Sequence, residues 1–380
     1  MLPGLASPKK ALFWIDKIQQ LCNGYRNSGL TIVQPAISMK KLALLTAIAA
    51  TAVVSSFGQV TTKPVGFVTL NLQTGNNFVG FSLQPSAAFS GAFTVSATDR
   101  KHIFLTNATV TDDQFNGAAG SYVIEVTTAG ANEGLNSVIT DTIATGAEVV
   151  LNDALPAGVA DGSTLTIWKL RTIADAFGAT NSAGLTAGNS TTADLILLPT
   201  LAGGYDQYFY SSGAPFGVGW RKVGGGTASQ ATVPFYYSDG FLILARSAKS
   251  VTITGEVKSG KTAIVLETGN NFVANLCPVN AGGTTPSTEG RTLGNSGLYT
   301  GSSTTGLAGS TNANTADQVL IWNGTGYNQY FYSTGAPFGV GWRQVGGGST
   351  DRATVALPDG CYLVLRRGAP VSIQLAQGAF

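Results

Sequence analysis

The strongest constraint on this chain is a 22-residue segment that occurs twice. Residues 205–226 read YDQYFYSSGAPFGVGWRKVGGG, and residues 327–348 repeat them with three substitutions. Because nearly identical segments form the same local structure, the repeat defines the folding unit before any shorter motif does. The sequence therefore predicts two related domains that arose by internal duplication. The substituted positions are Asp206 to Asn328, Ser212 to Thr334 and Lys222 to Gln344.

Residues 39–58 have the composition of a secretory signal peptide. Met39 and two lysines are followed by an apolar run over 42–54, and small residues stand at the −3 and −1 positions before Gln59. The apolar run is too short for a membrane-spanning helix. We therefore expect cleavage before Gln59 and export to the medium or the outer cell surface, with no membrane span after cleavage.

The segment before the signal peptide, residues 1–38, is interpreted as sequence that is not translated in the native protein. The alternative is a cytoplasmic tail on an uncleaved anchor. Residues 1–58 hold six of the 22 Lys and Arg residues and one of the 20 Asp and Glu residues, so the remainder has a formal net charge of −3. The remainder has no basic patch of the kind that binds nucleic acid. We therefore expect no nucleic-acid partner.

Short alternating apolar segments, separated by turns rich in Gly, Asn and Asp, run through the rest of the chain. Residues 66–72 alternate, a TGNN turn follows, and an Asp-Gly pair precedes an apolar run near the end of each copy. No segment has sustained helical periodicity, although the polar stretch after Arg171 is either a long loop or a short helix. The sequence predicts an all-β fold of antiparallel strands, with each domain a sandwich or a barrel.

Residues 92–169 have no counterpart in the second copy. The alternating segments there predict enough strands for one small barrel or sandwich, inserted into the first copy. We assign 59–91 with 170–257 to the first β repeat, 92–169 to the inserted small β module, and 258–380 to the second β repeat. The strands predicted in the module are 101–108, 120–128, 137–143, 147–153 and 163–169.

Two cysteines remain after the leader, in a compartment that permits disulfides. Aligning the two copies on their shared motifs places Cys277 opposite Leu83 and Cys361 opposite Phe241. Both cysteines therefore replace apolar residues in the same copy, which favours a disulfide between Cys277 and Cys361. The alternative is two buried free thiols that behave as small apolar residues.

Residues 255–262, GEVKSGKT, match the phosphate-binding pattern GxxxxGK[ST]. Phosphate binding at that loop requires a helix after Thr262, whose N-terminal amides hold the phosphates. The residues that follow, AIVLETGNN, predict a strand and a turn instead. We interpret the match as coincidence and expect no nucleotide and no cofactor.

Residues suited to acid–base or metal chemistry are few. His102 is the only histidine, and its position beside two basic residues favours a solvated strand edge over a catalytic base. Residues 112–117 resemble a calcium loop but lack an acceptable third ligand and the closing glutamate. We therefore predict no metal site and no enzyme, although a paired-carboxylate glycosidase stays open. The carboxylates common to both copies, which we expect to have structural roles, are Asp194 and Asp317, with Asp239 and Asp359.

The aromatic motif is the main candidate for a contact surface. Alternation along a strand places Phe209 and Phe331 toward the core if the variable position, Asp206 or Asn328, faces solvent. Planar rings with polar groups on a rigid sheet suit stacking on sugars or packing against another subunit. The alternative is that these rings form a second apolar layer under the loops. The contact candidates expected to point outward are Tyr208, Tyr210, Trp220, Tyr330, Tyr332 and Trp342.

The order of motifs TGNNFV, RTxxxxFG…AGL, TADxVLxW, GYxxYFY, GxGWRxVGxG and DGxxLxxR resembles a paralogue-rich family of exported proteins from verrucomicrobial-type bacteria. The resemblance covers residues 63–380, and the motifs are specific in combination rather than singly. The first copy departs from it at Ile196 and Pro199, which replace Val and Trp of the TADxVLxW strand. The resemblance implies export, an all-β fold and a repeat, and it implies no catalytic site.

Low charge, abundant small polar residues and a duplicated aromatic motif together favour a structural or adhesive role. We expect a secreted or cell-surface β protein without catalytic activity, which self-associates or binds through its repeated aromatic surfaces. The alternative is an extracellular carbohydrate-binding module that recognises a cell-surface glycan.

Overall fold

The computed structural model describes residues 65–258, 260–276 and 291–375. These ranges contain 21 antiparallel strands and one short α-helix, so the predicted all-β fold is confirmed. No helix in the described ranges is long and apolar enough to cross a membrane. Residues 1–64, with the predicted signal peptide, lie outside these ranges.

The first repeat is a sandwich of two sheets. Its smaller sheet has the order β1–β14–β3, formed by Val65–Leu72, Lys249–Val257 and Leu83–Gln84. Its larger sheet has the order β12–β11–β10–β13–β2, formed by Gly217–Lys222, Tyr205–Gly213, Leu195–Pro199, Phe241–Ala245 and Gly75–Val79. Leu72 and Ile253 from the smaller sheet share one buried core with Ile196 and Ile243 from the larger sheet.

The second repeat has the same architecture. Its five-stranded sheet, written from the opposite edge, has the order β19–β18–β17–β20–β16, which matches the strand order of the first repeat. These strands are Gly339–Gln344, Tyr327–Gly335, Gln318–Trp322, Cys361–Arg366 and Gly269–Ala274, and the smaller sheet pairs β15 (Thr262–Leu266) with β21 (Val371–Leu375). Leu266 and Ile373 from the smaller sheet pack with Val319 and Val364 from the larger one.

The inserted module is a closed six-stranded barrel in the order β4–β5–β8–β7–β6–β9. Its strands are Ala87–Val95, His102–Leu105, Glu148–Leu151, Asn136–Ile143, Tyr122–Val126 and Thr164–Lys169, with 3₁₀ turns at Gly117–Ala119 and Thr145–Ala147. The barrel begins at Ala87, before the expected boundary at 92. Strand β4 pairs first with β9 and then, past an irregularity near Phe89, with β5, and this change of partner closes the barrel.

The polar stretch after Arg171 contains the single helix, α1 (Ile173–Phe177). A reciprocal capping box begins it, since Asp175 N donates to Thr172 Oγ1 at 3.2 Å and Thr172 N donates to Asp175 Oδ2 at 3.0 Å. The second repeat has the same reciprocal bonds between Thr292 and Asn295, followed by turns. Of the two structures left open by the sequence, the first repeat therefore has the short helix.

The registers of β13 and β20 correct the alignment of the two repeats. Phe241 pairs with Val79, and Tyr362 pairs with Val273, which is the equivalent of Val79 in the second TGNNFV motif. Phe241 therefore corresponds to Tyr362. The alignment that placed Cys361 opposite Phe241 is wrong by one residue, because the loop before β20 is one residue shorter than the loop before β13. Cys361 instead takes the place of the glycine before Phe241.

The predicted disulfide stays a prediction, because Cys277 lies outside the described residues. Cys361 is fully buried and carries a free thiol in the described part of the chain. Its Sγ lies 3.8 Å from the carbonyl oxygen of Phe241, and burial raises the pKa of this thiol.

Candidate functional site

The central rings of the repeated motif are inside the protein. The relative exposure of Tyr208, Trp220, Tyr330 and Trp342 is 5% or less. The expectation that these four side chains point outward is therefore wrong. Tyr210 and Tyr332 are half-buried, and each packs edge-on against the tryptophan of its own hairpin.

Both faces of β11 are covered, which explains why alternation misplaced the rings. Tyr208 belongs to the sandwich core, while Phe209, on the opposite face, packs in a second cluster with Ala193. The variable Asp206 is half-buried, and its ion pair with Lys222, at 2.8 Å, lies at the outer end of the strand beside the Tyr208 hydroxyl. One polar position at the end of the strand therefore did not show which face of the strand is exposed to solvent. The alternative of a second apolar layer describes the motif better.

The GxGWR end of the repeated motif closes an exposed sheet edge. Arg221 donates three hydrogen bonds of 2.8–3.0 Å to the carbonyl oxygens of Phe216, Val218 and Trp220. Gly219, at φ +129°, bends the strand around the guanidinium, whose Nη1 lies 3.3 Å from where a β-carbon would stand. Because β12 is an edge strand, the arginine occupies acceptors that another strand would otherwise pair with.

The second repeat has the same closure. Arg343 donates to the carbonyl oxygens of Phe338, Val340 and Trp342 at 2.8–2.9 Å. It also contacts Asp351 at 3.3 Å. The near-identity of the two motifs therefore accompanies an identical structural role. The signal available in the sequence was the glycine two residues before each arginine.

Aromatic side chains do reach the surface, but at the junction between the repeats. Five rings form one continuous cluster, in which neighbouring centroids lie 5.2–6.3 Å apart. Two of them are exposed, Tyr205 by 40% and Tyr327 by 36%. The other three are half-buried. We call this cluster the junction patch; its members are Phe78, Tyr205, Phe272, Trp322 and Tyr327.

The junction patch has approximate two-fold symmetry. Tyr327 of the second repeat packs edge-on against Phe78 of the first at 5.9 Å, and Tyr205 of the first packs edge-on against Phe272 of the second at 5.9 Å. Phe78 and Phe272 are equivalent residues, and they stack on each other at 6.3 Å with 12° between their planes. Reciprocal contacts of this kind define an isologous interface. Trp322 breaks the symmetry, because Pro199 occupies its place in the first repeat.

The TGNNFV turns set the direction of the central rings. Asn77 folds back on its own turn, accepting from Gln73 N at 2.8 Å and donating to Ile243 O at 3.2 Å. Asn271 does the same in the second repeat, accepting from Glu267 N at 2.8 Å. Since successive side chains on a strand point to opposite faces, the following phenylalanine turns toward the junction.

The chemistry of the junction patch is neutral. Burial raises the pKa of the Tyr205 and Tyr327 phenols; proximity to Cys361 acts in the same direction on both, and proximity to Tyr205 does so on Tyr327. The two hydroxyls therefore remain protonated donors near neutral pH. Aromatic faces beside neutral hydroxyls can stack on flat apolar surfaces and donate hydrogen bonds at their edges.

Sequence reasoning missed most of this cluster. Tyr205 and Tyr327 are the first residues of the two copies of the motif, but only rings nearer its centre were predicted as contact candidates. The duplicated TGNNFV motif was a signal for the phenylalanines, since each lies next to a turn-forming asparagine. No signal in the sequence showed that the two turns meet.

Lys258, at a variable position of the phosphate-loop match, has a structural partner, and Lys261 of the GK pair lies 4.0 Å from Glu133. Lys258 is buried and forms an ion pair with Glu125 of the barrel, which also accepts from Tyr237 Oη at 2.5 Å. Burial raises the pKa of Glu125 and lowers that of Lys258, while their attraction opposes both shifts. Strand β15 begins at Thr262, so the prediction that a strand follows this loop is confirmed.

The carboxylates shared by the copies hold strand ends together. Asp194 contacts Lys249 Nζ at 2.5 Å, and Asp317 contacts Arg366 Nη1 at 2.5 Å. Each carboxylate also accepts two backbone amides. Burial alone would raise the pKa of Asp194, but the bonds from Lys249 and the amides together hold it below its usual value. Asp239 is exposed in its turn.

The remaining candidates from the sequence do not converge. His102 lies on β5, inside the closed barrel sheet rather than at an edge, and its hydrogen bond with Glu148 raises the imidazole pKa. Asp112 accepts from Ala144 N at 2.8 Å, and Asp113 accepts from Asn116 Nδ2 at 2.6 Å. Within the described ranges, no group of three or more His, Cys, Asp or Glu side chains is placed to hold a metal ion.

Comparison with known proteins found no matching family model, no matching curated protein and no matching solved structure.

Proposed function

We propose that the chain is an exported, non-catalytic β protein of the structural or adhesive kind, and that the junction patch is its contact surface. The observation that carries the proposal is the continuous cluster of five rings, two of them more than a third exposed. Contiguous exposed aromatic surface marks interaction sites, because removing apolar surface from water has a favourable free energy. The export half of the proposal is supported by the signal-like segment 39–58.

The symmetry of the patch suits self-association. An approximately two-fold surface without charged members presents the same rings to a second copy in either orientation, so no like-charge repulsion opposes contact. The capped edges at β12 and β19 meanwhile divert association away from strand pairing. The resemblance to exported proteins from verrucomicrobial-type bacteria is in keeping with a surface or structural role.

The test is light scattering with negative-stain microscopy on residues 59–380 beside a Tyr205→Ala/Tyr327→Ala variant. We expect the unsubstituted protein to form oligomers or polymers that the variant loses. The matched control is Phe67→Ala, which removes a ring that is 73% exposed on β1, outside the patch. A protein that stays monomeric at every concentration, or a control that disrupts assembly equally, contradicts the proposal.

The second candidate is a carbohydrate-binding module. It is favoured by the pairing of Trp322 with Tyr327 at 5.2 Å and 67°, beside exposed Asn323 and Thr325. An aromatic platform with uncharged polar neighbours is suited to the apolar face of a sugar ring. Glycan-array binding by the monomer, lost in Trp322→Ala and kept in Phe67→Ala, would support this candidate. Absence of glycan binding with retained assembly would reject it.

A further inference from the structure

A second feature, chemically different from the junction patch, is a cavity between the barrel and the first repeat. Its empty space, open solvent included, amounts to about 320 Å³. The first repeat contributes Phe81 and Phe235 to its wall, and the barrel contributes Val123 and Trp168. The lining is therefore mostly apolar and aromatic, so any polar group that faces it has few partners.

Two buried hydrogen-bond donors line this cavity without an acceptor among the described residues. They are Nε2 of Gln84, a residue that is only 4% exposed, and Nε of Arg171. Arg171 uses another atom, Nη2, to donate to the carbonyl oxygen of Thr254 at 2.8 Å. A buried donor without an acceptor destabilises the folded protein, so two in one cavity call for a common acceptor.

The charge of Arg171 is also uncompensated. In the described part of the chain no carboxylate lies within ion-pair distance of its guanidinium. Its more distant electrostatic partner, Asp175, directs one oxygen to Thr172 in the helix cap. The guanidinium carbon lies 5.4 Å from the ring centroid of Phe81, a contact that offsets part of the burial cost. Burial lowers the pKa of this guanidinium.

The buried carboxylate of Glu125 already has partners. Tyr237, which lines the cavity, donates its hydroxyl to Glu125, and Glu125 is paired with Lys258. The other charged residue of the lining, Lys169, adds a second positive charge. The cavity therefore combines donors and positive charge with apolar walls.

We propose that this cavity binds a small monovalent anion of chloride size, held by Nε2 of Gln84 and Nε of Arg171. An anion needs only donors, which is what the two side chains supply. Buried charges in proteins are stable when paired, and the anion completes the pair with Arg171. Gln84 lies just before the first barrel strand and Arg171 just after the last one, so the anion lies where the chain enters and leaves the barrel.

Two measurements on the purified protein test the site. In crystals soaked in sodium bromide, anomalous diffraction should show a bromide peak between the two nitrogen atoms. In solution, replacing sodium gluconate by sodium chloride at constant ionic strength should raise Tm by about 2–4 °C, because a ligand that binds only the folded state stabilises it by mass action.

Variants separate the site from general salt effects. Arg171→Met and Gln84→Met should each lose the bromide peak and the chloride dependence of Tm. The matched control is Lys222→Met, which removes a positive charge outside the cavity lining and should keep both. Gln84→Met is neutral in charge and similar in volume, so it gives a result even where Arg171→Met does not fold.

Each possible outcome either supports or contradicts the anion site. A bromide peak at the two nitrogens with a chloride dependence that Gln84→Met abolishes supports the site. A protein with equal Tm in chloride and gluconate and no peak contradicts it. A peak without any chloride dependence of Tm up to 0.5 M also contradicts it, because that result describes an adventitious ion only.

Discussion

The two repeats are alike where each packs on itself and differ where they pack on each other. Arg221 and Arg343 close their hairpin edges with the same three carbonyl bonds. At the junction, by contrast, Gly240 of the first repeat faces its equivalent Cys361, and Gly80 faces its equivalent Ala274. The difference therefore follows position in the fold rather than overall divergence between the copies.

The physical reason is the approximate two-fold axis. A residue on such an axis meets its own equivalent, so two side chains compete for one space. A β-carbon added to Gly240 would stand 2.3 Å from Cβ of Cys361, and one added to Gly80 would stand 2.8 Å from Cβ of Ala274. One copy of each pair must be glycine. Identical repeats could not pack this closely, which teaches that the two copies are fitted to each other.

The largest expected effect tests the likeness of the repeats. Asp194→Asn and Asp317→Asn each leave a buried cation, Lys249 or Arg366, without its carboxylate. We expect each to lower the free energy of unfolding by about 3–5 kcal/mol at pH 7, measured by urea denaturation. Losses that differ by more than about 2 kcal/mol would show that the repeats are not equivalent at this site.

The same pair gives a pH dependence. Because the folded-state pKa of Asp194 is depressed, its contribution is present above the unfolded value of about 4 and is lost as pH falls through the folded value. Asp194→Asn should therefore flatten the decline of unfolding free energy below pH 4. An unchanged decline would assign the acid sensitivity to other groups.

The next effect tests the junction. Gly240→Ala should destabilise by about 3 kcal/mol, because the new methyl group overlaps Cys361. Adding Cys361→Gly should restore most of the loss, since the double variant exchanges which repeat carries the glycine. Thermal unfolding of the two single variants and the double variant completes the cycle. If the loss of stability in the double variant equals the sum of the losses in the two single variants, the proposed steric coupling is wrong.

A smaller effect concerns the shared hairpin edge. Arg221→Met and Arg343→Met should each cost about 2 kcal/mol in urea denaturation, because two carbonyl groups of the hairpin lose their donor while the carbonyl of the tryptophan keeps a backbone amide. Lys222→Met is the matched control, since its ion pair with Asp206 is exposed and should contribute less than about 1 kcal/mol. An equal loss of unfolding free energy in Lys222→Met and in the arginine variants would contradict a structural role for the arginines.

The smallest effect distinguishes the two tryptophans. Trp220 Nε1 donates to the carbonyl oxygen of Gly178 at 2.9 Å, whereas Trp342 Nε1 has no acceptor among the residues that the structure describes. Trp220→Phe should therefore cost about 1 kcal/mol more than Trp342→Phe. Calorimetry on both variants measures the difference, and a larger loss for Trp342→Phe would reverse the assignment.

Local patterns in the sequence predicted much of the fold. Alternating apolar residues and Gly/Asn turns predicted the strands of both repeats and of the inserted module, because strand pairing follows from a period of two and from turn chemistry. They left the module open between barrel and sandwich. Closure depends on β4 changing partners between Ala92 and Phe93, a feature of pairing between distant strands that no local pattern contains.

The candidate site was predicted less well for a related reason. Alternation assigns side chains to two faces, but it does not say whether one face or both are covered. Tyr208 and Phe209 lie on opposite faces and both are buried, so the outward assignment failed. Tyr205, three residues before Tyr208, is exposed because it lies at the end of the strand, where its ring packs edge-on against Phe272 of the other repeat.

The sequence by itself determined the all-β fold, the repeated hairpins and the turns, since these depend on residues close together in the chain. Tertiary structure alone decided which rings are exposed, which copy needs a glycine at the axis, and where the barrel meets the first repeat. Those features depend on contacts between segments that are far apart in the chain, such as Phe78 with Tyr327. Their free energy comes from shape and burial in the folded molecule, which neighbouring residues do not encode.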